Sequence, residues 1–477
     1  MILEGSYPYV HGGVSSWTHY YIKGMPDAEF VLWCIGAKEE DKGKFKYELP
    51  ENVKEVHEVF LDSALKEPLR SYKQKKLRLS PEQEEALTKL FRSEDLDWDT
   101  LFDLFQNRKV DPVGLLMSEN FLNMIIENCR TKYPYISFSD YFYSVRSMML
   151  PEMHLLSQPV PYADLYHATA TGYSGLLGSL AKWKTGNPYV VTEHGIYTRE
   201  REEELLRAEW VLPAFRQQWI DLFYIFSRCA YHHADVVTAL FQRANTIQAE
   251  LGADPEKLCV IPNGIHYENF CGIEPKKPDG FVDIGAVVRI AKIKDIKTMI
   301  YAFSELKSSV PNARLHIMGD VDDKEYDAEC HQLIEQLGVS DILFTGIVNV
   351  MEYLKKIDFT ILTSISEGQP LSVLESFAAG RPVVATDVGC CRELVEGTDE
   401  FGPAGIIVPP MNKDLLAGAM RMLCEQKELC REMAASGRAR AQKYFTHELS
   451  MKQYRDLYDR LLPNGKKRGL ENGRNRI

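Results

Sequence analysis

Residues 281–306 read FVDIGAVVRIAKIKDIKTMIYAFSEL, and this stretch decides the fold. Its opening part, 281–289, is a short β-branched run, and its close, 295–306, is amphipathic at helical spacing. Asp295 stands where a helix wants its N-cap. A strand feeding a helix through a brief polar turn is the repeating unit of a parallel sheet, and the pattern recurs downstream. Apolar runs at 313–319, 341–344, 358–363, 382–386 and 405–408 alternate with amphipathic stretches such as 323–337. This alternation predicts a doubly wound α/β domain over about 281–440, with helices on both faces of a parallel sheet.

The N-terminal half predicts the same architecture with an insertion. Runs at 28–35, 163–168, 189–192, 235–239 and 258–261 read as strands, a short strand precedes them all, and 13–22 reads as the first helix. From about 62 to 156 the chain is charged and then helical, without a clear strand, which reads as a helical excursion from a first domain spanning 1–270. Residues 266–280, with Pro275, Pro278 and a lysine pair, suit a linker. A last amphipathic helix follows at 448–462, and the basic tail from Pro463 suits a solvated, frayed end. Two such domains joined by a linker predict a cleft.

The bulk properties narrow the partners. At 477 residues the chain needs two or three cores. A net charge of -12 argues against a nucleic-acid partner, so an anionic ligand would need cations placed locally. Ten cysteines without C-x-x-C spacing suit reduced thiols in the cytoplasm. No leader pattern and no eighteen-residue apolar run is visible, so a cytoplasmic protein is expected, at most peripheral at the inner face of the membrane.

Ligands of parallel sheets sit beyond the carboxyl ends of the strands, so the loops there carry the candidates. Arg289 and Lys294 place two cations beside a helix start, fit for a pyrophosphate, although Lys292 and Lys297 leave open a merely solvated basic loop. In Glu367-Gly368-Gln369-Pro370-Leu371-Ser372-Val373-Leu374-Glu375, Pro370 suits a first helical turn. The helix is nearly all apolar, so its Glu375 needs donors: a ribose diol, or an ion pair with Arg381 or Arg392. Gly12-Gly13 at a helix start would allow close approach of a ligand, or make a plain turn. His194, after the 189–192 run and before Gly195, lies at a carboxyl edge, as does the segment 166–173; a structural role for the histidine is the plainer alternative. His232-His233 diverge on a helix and read as its end, Asp320, Asp322 and Asp323 lack a calcium-loop pattern, and Cys390-Cys391 reads as a buried turn. No Walker, G-x-S-x-G or G-x-G-x-x-G motif is present.

In order along the chain, these motifs resemble the family-four glycosyltransferases of GT-B fold. The match rests on Arg289-x4-Lys294, Glu367-x7-Glu375, Asn263-Gly264 and the run from Gly380 to Gly389, and it covers the chain apart from the insertion. The segments 3–17 and 293–298 are further similar to the Pel-type exopolysaccharide branch. The resemblance implies a retaining hexosyltransferase that needs no metal or cofactor. Its donor would be a nucleotide sugar, most simply a UDP-sugar, and its acceptor a polysaccharide, with inner-membrane synthase-complex proteins as partners. Arg289 and Lys294 would hold the diphosphate, Glu367 the sugar, and Glu375 the ribose. His194 would lie near the sugar, and Gly12 and Gly13 near phosphate and acceptor. The amides of Gln369, Pro370's neighbour Leu371, and Ser372 would add hydrogen bonds, and the base would lie by Ile347 and Val348. The stretch 441–477 would return to the first domain. Many family members carry glycine after the diphosphate lysine, where this chain has Asp295. A GT-B-fold sugar-nucleotide epimerase and a non-catalytic nucleotide-sugar binder are the competing readings.

Overall fold

The computed structural model describes residues 1–66 and 77–462; the basic tail expected from Pro463 lies outside the described residues. The chain divides into two compact units, one comprising 1–239, 245–259 and the chain from Arg455, the other 240–244 and 260–454.

The first unit holds a sheet of β1 (Ile2–Glu4), β2 (Phe30–Gly36), β3 (Val53–Phe60), β4 (Tyr166–Ala168), β5 (Tyr189–Glu193), β6 (Val236–Ala239) and β7 (Leu258–Val260). Its strand order is β3-β2-β1-β4-β5-β6-β7, parallel from β3 through β6. Strand order therefore reverses between β1 and β4. The strand β3 was not expected. Its sequence VKEVHEVF interrupts the apolar pattern with charges, which an edge strand tolerates because it pairs with β2 alone.

The helices of the insertion, from Leu61–Lys66 to Phe138–Leu156, occupy the connection between β3 and β4. Local chemistry starts most of them: Ser80 forms a capping box with Gln83, and Asp97, Asp111, Ser118 and Ser137 each accept a first-turn amide. Their buried Leu90, Phe102, Phe121 and Met149 belong to one apolar cluster with Trp33 and Ile35 of β2 and Leu176 behind the sheet. The excursion thus shares the core of the first unit.

The second unit holds β8 (Val282–Val287), β9 (Ala313–Met318), β10 (Ile342–Gly346), β11 (Phe359–Leu362), β12 (Val383–Thr386) and β13 (Gly405–Val408), all parallel, in the order β10-β9-β8-β11-β12-β13. Here the reversal falls between β8 and β11. The last helix, His447–Leu461, starts in the second unit and ends in the first. There Arg455 donates to the Gly24 carbonyl, and the Tyr458 hydroxyl lies 2.5 Å from both His167 Nδ1 and the Tyr21 hydroxyl. Among the described residues no helix is long and apolar enough to cross a membrane, and the ten cysteines are free.

Charge fixes the amino end of the second sheet. Asp283, buried on β8, accepts from Arg314 at 2.5 and 2.7 Å and contacts His316 Nε2 at 2.7 Å; Lys276 also pairs with it. Burial opposes the charge of Asp283, but the hydrogen bonds from His316, Arg314 and Lys276 outweigh it and hold the carboxyl well below the usual carboxylate range. A depressed native pKa contributes stability above the unfolded value, and that stability is lost as the pH falls through the native one. Denaturant unfolding of Asp283→Asn should therefore show a loss of roughly 3 kcal/mol at neutral pH, with a shallower decline in acid than the wild type shows.

Candidate functional site

In the second unit the candidates gather at the carboxyl ends of β8 and β11, where the sheet reverses. Lys294 Nζ meets Glu367 Oε1 at 2.5 Å, the two side chains 17% and 12% exposed. Ser364 Oγ donates to the same oxygen at 2.5 Å. The two loops are laced together beneath this pair, Thr363 Oγ1 donating to the Lys294 carbonyl at 2.8 Å and the Ile365 amide to the Ile293 carbonyl at 2.9 Å. From the other side, the Cys390 amide donates to the Gly368 carbonyl at 3.1 Å. Gly389 makes that approach possible: it takes φ +55, and any Cβ there would strike the Glu367 and Gly368 carbonyl oxygens.

Asp295 explains its own departure from the family pattern. It adopts φ +47, the left-handed conformation that favours glycine, and its side chain accepts the Thr298 amide at 3.4 Å, capping the helix Ile296–Ser309. The aspartate thus keeps the glycine-like backbone and adds a cap.

Arg289 is not drawn to Lys294. It is 65% exposed and ion-paired with Asp322, so each cation rests on its own carboxylate. Glu375 lies half-buried on the helix Leu371–Ala378 and has neither hydrogen bond nor ion pair for its carboxylate among the described residues. Arg381 instead donates to the carbonyls of Glu274, Leu354, Ala379 and Gly380, and Arg392 pairs with Asp387 and Glu396. Burial pushes Glu375 up to about 7. Pro370 is the N-cap, one place before the first turn, and leaves the amides of Leu371 and Ser372 without a side-chain cap. Gln369 uses its carboxamide oxygen to accept the Asn263 amide at 2.6 Å. Past β10, Ile347 is 78% exposed and Val348 half-buried.

In the first unit the loop after β1 runs to Gly12 and Gly13, both exposed, at the start of the helix Gly13–Lys23. Gly12 is extended, and a Cβ at either position would meet nothing within 4 Å. Neither backbone nor packing demands glycine there. His194, after β5, stands edge-on to Trp17 with ring centroids 4.4 Å apart, and its buried Nε2 has no partner among the described residues. Burial lowers its pKa to about 4, so the imidazole is neutral at pH 7. The neighbouring acids escaped the sequence reading. Glu193 accepts Tyr231 at 2.7 Å, Gln248 at 2.8 Å, Thr171 at 3.0 Å and the Tyr197 amide at 3.2 Å, while Glu4 accepts the Tyr197 hydroxyl at 2.6 Å and the Ser174 amide at 3.0 Å. An acid ending an apolar strand was the available signal for both.

The discarded motifs have structural roles. Asp323 caps the helix Lys324–Leu337, His233 ends the helix Arg216–His233, and Cys390-Cys391 form a buried turn. Among the described residues no cluster of three or more His, Cys, Asp or Glu side chains could hold a metal ion.

Two Rossmann-like parallel sheets of this topology make the GT-B fold, and residues 273–440 match the family model "Glycosyl transferases group 1". Residues 1–256, more than half of the chain, match "Domain of unknown function (DUF3492)", and the chain belongs to that family. It is 26% identical over 289 residues to an MMP alpha-(1->4)-mannosyltransferase of Mycolicibacterium hassiacum, covering 60% of this chain and 68% of the relative. It is 29% identical to the putative glycosyltransferase EpsD of Bacillus subtilis over 35% of this chain, spanning only 42% of that relative's length. The fold is similar to Anabaena Alr3699/HepE solved with UDP, at TM-score 0.61 and 16% identity over 96% of this chain and 99% of that one. The same Anabaena protein solved with UDP-glucose matches at TM-score 0.51 and 20% identity, over 62% and 79% of the two chains.

The backbone requirements are open to test. Asp295→Ala should lower stability by about 2 kcal/mol, from the lost cap and the left-handed strain, and Asp295→Gly by clearly less. Chemical denaturation of both variants checks the order.

Proposed function

We propose that the protein is a retaining, metal-independent glycosyltransferase that moves a hexose or N-acetylhexosamine from a UDP-sugar onto a growing exopolysaccharide of the Pel type. The observation that carries this reading is the Lys294–Glu367 pair across the strand reversal of the second sheet, with the unpartnered Glu375 on the helix that follows. The UDP and UDP-glucose complexes of the Anabaena neighbour support the choice of nucleotide. The ten free cysteines suit a cytoplasmic setting, where the acceptor would be presented by inner-membrane synthase-complex proteins.

In this reaction the bond between the anomeric carbon and the diphosphate oxygen breaks, and negative charge collects on the departing phosphate. Lys294 neutralises it from one side. Arg289 keeps further N–H donors beyond the one on Asp322 and can add a second contact. Withdrawn Lys294 and the more exposed Arg289 together take the place of a divalent ion. The acceptor hydroxyl attacks from the face the diphosphate leaves, and its proton passes to the departing phosphate oxygen, so configuration is retained. Glu367 spends Oε1 on Lys294 and Ser364, which leaves Oε2 for a sugar hydroxyl. Both Glu375 oxygens remain for a ribose diol. The free amides of Leu371 and Ser372 suit phosphate, Ile347 and Val348 offer apolar cover to the base, and neutral His194 has Nε2 to offer a sugar hydroxyl. Open space above Gly12 and Gly13 suits close approach of the donor phosphate or the acceptor.

Lys294→Ala should cut transfer by roughly 10²–10³-fold while the chain still folds, and the wild type should keep its rate in EDTA. UDP-release assays with purified protein test both. Near-normal turnover by the variant, or a strict need for magnesium or manganese, would overturn the reading. Because the diol needs the ionised carboxylate, UDP affinity should rise as pH climbs through about 7, the value to which burial lifts Glu375. Calorimetric titrations of Glu375→Gln should lose that pH dependence.

A further inference from the structure

The helix Tyr197–Arg207 starts just past His194 and Gly195, and its first turn is pinned on every side but one. The Tyr197 hydroxyl donates to Glu4 and its amide to Glu193. Arg201 lies over the Tyr197 and Phe223 rings, 5.1 and 5.7 Å from their centroids, and is claimed by Glu4 at 3.5 Å and Glu204 at 2.5 Å. Arg199 leans on Glu203 at 3.7 Å. Both arginines flanking Glu200 are therefore committed to other acids.

Glu200 itself has no hydrogen bond or ion pair for its carboxylate among the described residues, and it keeps solvent access. Its side chain lies back over Gly195. Contact there is so close that a Cβ on Gly195 would collide with Glu200 Oε1. The Glu200 carboxyl thus lies against Gly195 at the carboxyl end of β5, uncommitted among the described residues.

We propose that Glu200 is a recognition residue for the acceptor, its carboxylate accepting a hydroxyl of the incoming pyranose. This rests on the glycosyltransferase reading. Glu200 is an exposed acid of the first unit with no partner among the described residues. The groups that face it set its ionisation. Crowding against the protein comes first, then buried Glu193; Arg201 opposes them and Glu203 adds to them, so the carboxyl titrates at about 7.

The test uses the full chain at saturating donor, with whichever oligosaccharide from a hexose and N-acetylhexosamine panel the wild type elongates. Glu200→Gln should raise the acceptor KM at least tenfold while the donor KM moves less than twofold. For the wild type, acceptor kcat/KM should fall as pH drops through 7, and Glu200→Gln should lack that limb. Gly195→Ala, which keeps the carboxyl but pushes it from its seat, should reproduce the acceptor-selective defect. An unchanged acceptor KM and an unchanged pH limb in Glu200→Gln would overturn the assignment while leaving the glycosyltransferase reading intact. A wild type that transfers to no member of the panel, yet converts the donor alone to another nucleotide sugar, would overturn both.

Discussion

The loop architecture of the second unit depends on one ion pair. Lys294 and Glu367 come from loops after β8 and β11, 73 residues apart in sequence, and meet where the strand order reverses. Their withdrawal from solvent is costly for each charge taken singly, and the mutual attraction plus the Ser364 hydroxyl offset that cost. The same contact fixes where a ligand's charge can go. In the proposed reaction a diphosphate beside Lys294 would meet a lysine already oriented, and a sugar beside Glu367 a carboxylate whose second oxygen has no hydrogen bond among the described residues. Structure and chemistry therefore share one interaction.

Everything around the pair serves its geometry through the backbone. Asp295 holds the left-handed turn that delivers Lys294, and Gly389 lets a third loop press against the carbonyls of Glu367 and Gly368. Replacing the family's glycine by aspartate keeps the turn because a short polar side chain tolerates that conformation and converts it into a helix cap. What looks in sequence like a departure from the motif is a second solution to the same backbone constraint.

The legibility of the sequence follows the same physics. Short apolar runs mark parallel strands, so β8 to β13 stand out where they lie, the half-exposed edge strand β10 among them. The edge strand β3 does not, because Lys54, Glu55, His57 and Glu58 break up its apolar run, the first two exposed and the others half-buried. Asp295 and Asp323 were readable as caps, since a cap is a local event. Pro370 sits one residue from its expected place for the ordinary reason that helix ends are set by the last turn made. Long-range pairing was not readable. Nothing local says that Arg289 rests on Asp322, that Arg381 serves backbone carbonyls and leaves Glu375 alone, or that four donors from separate segments converge on Glu193.

The acids of the molecule fall into two kinds, and the division argues for where ligands belong. Asp283, Glu193 and Glu4 are satisfied by several donors and act as framework. Glu375 and Glu200 are crowded enough to be lifted to about 7 yet have no protein donor, and both lie on helices that follow the carboxyl ends of strands. Buried polar groups are rarely left unpaired, because each forfeits hydrogen bonds it had in water, whereas half-buried Glu375 and exposed Glu200 keep access to solvent. Glu152 shows the contrast: its carboxyl too has no hydrogen bond among the described residues, but it lies fully buried in the helix Phe138–Leu156, and burial pushes it well above the usual carboxylate range. An acid that is unpaired and accessible differs from one that is unpaired and sealed. The former can be completed by hydroxyls brought from outside, and a sugar nucleotide and a sugar acceptor are molecules made largely of such hydroxyls.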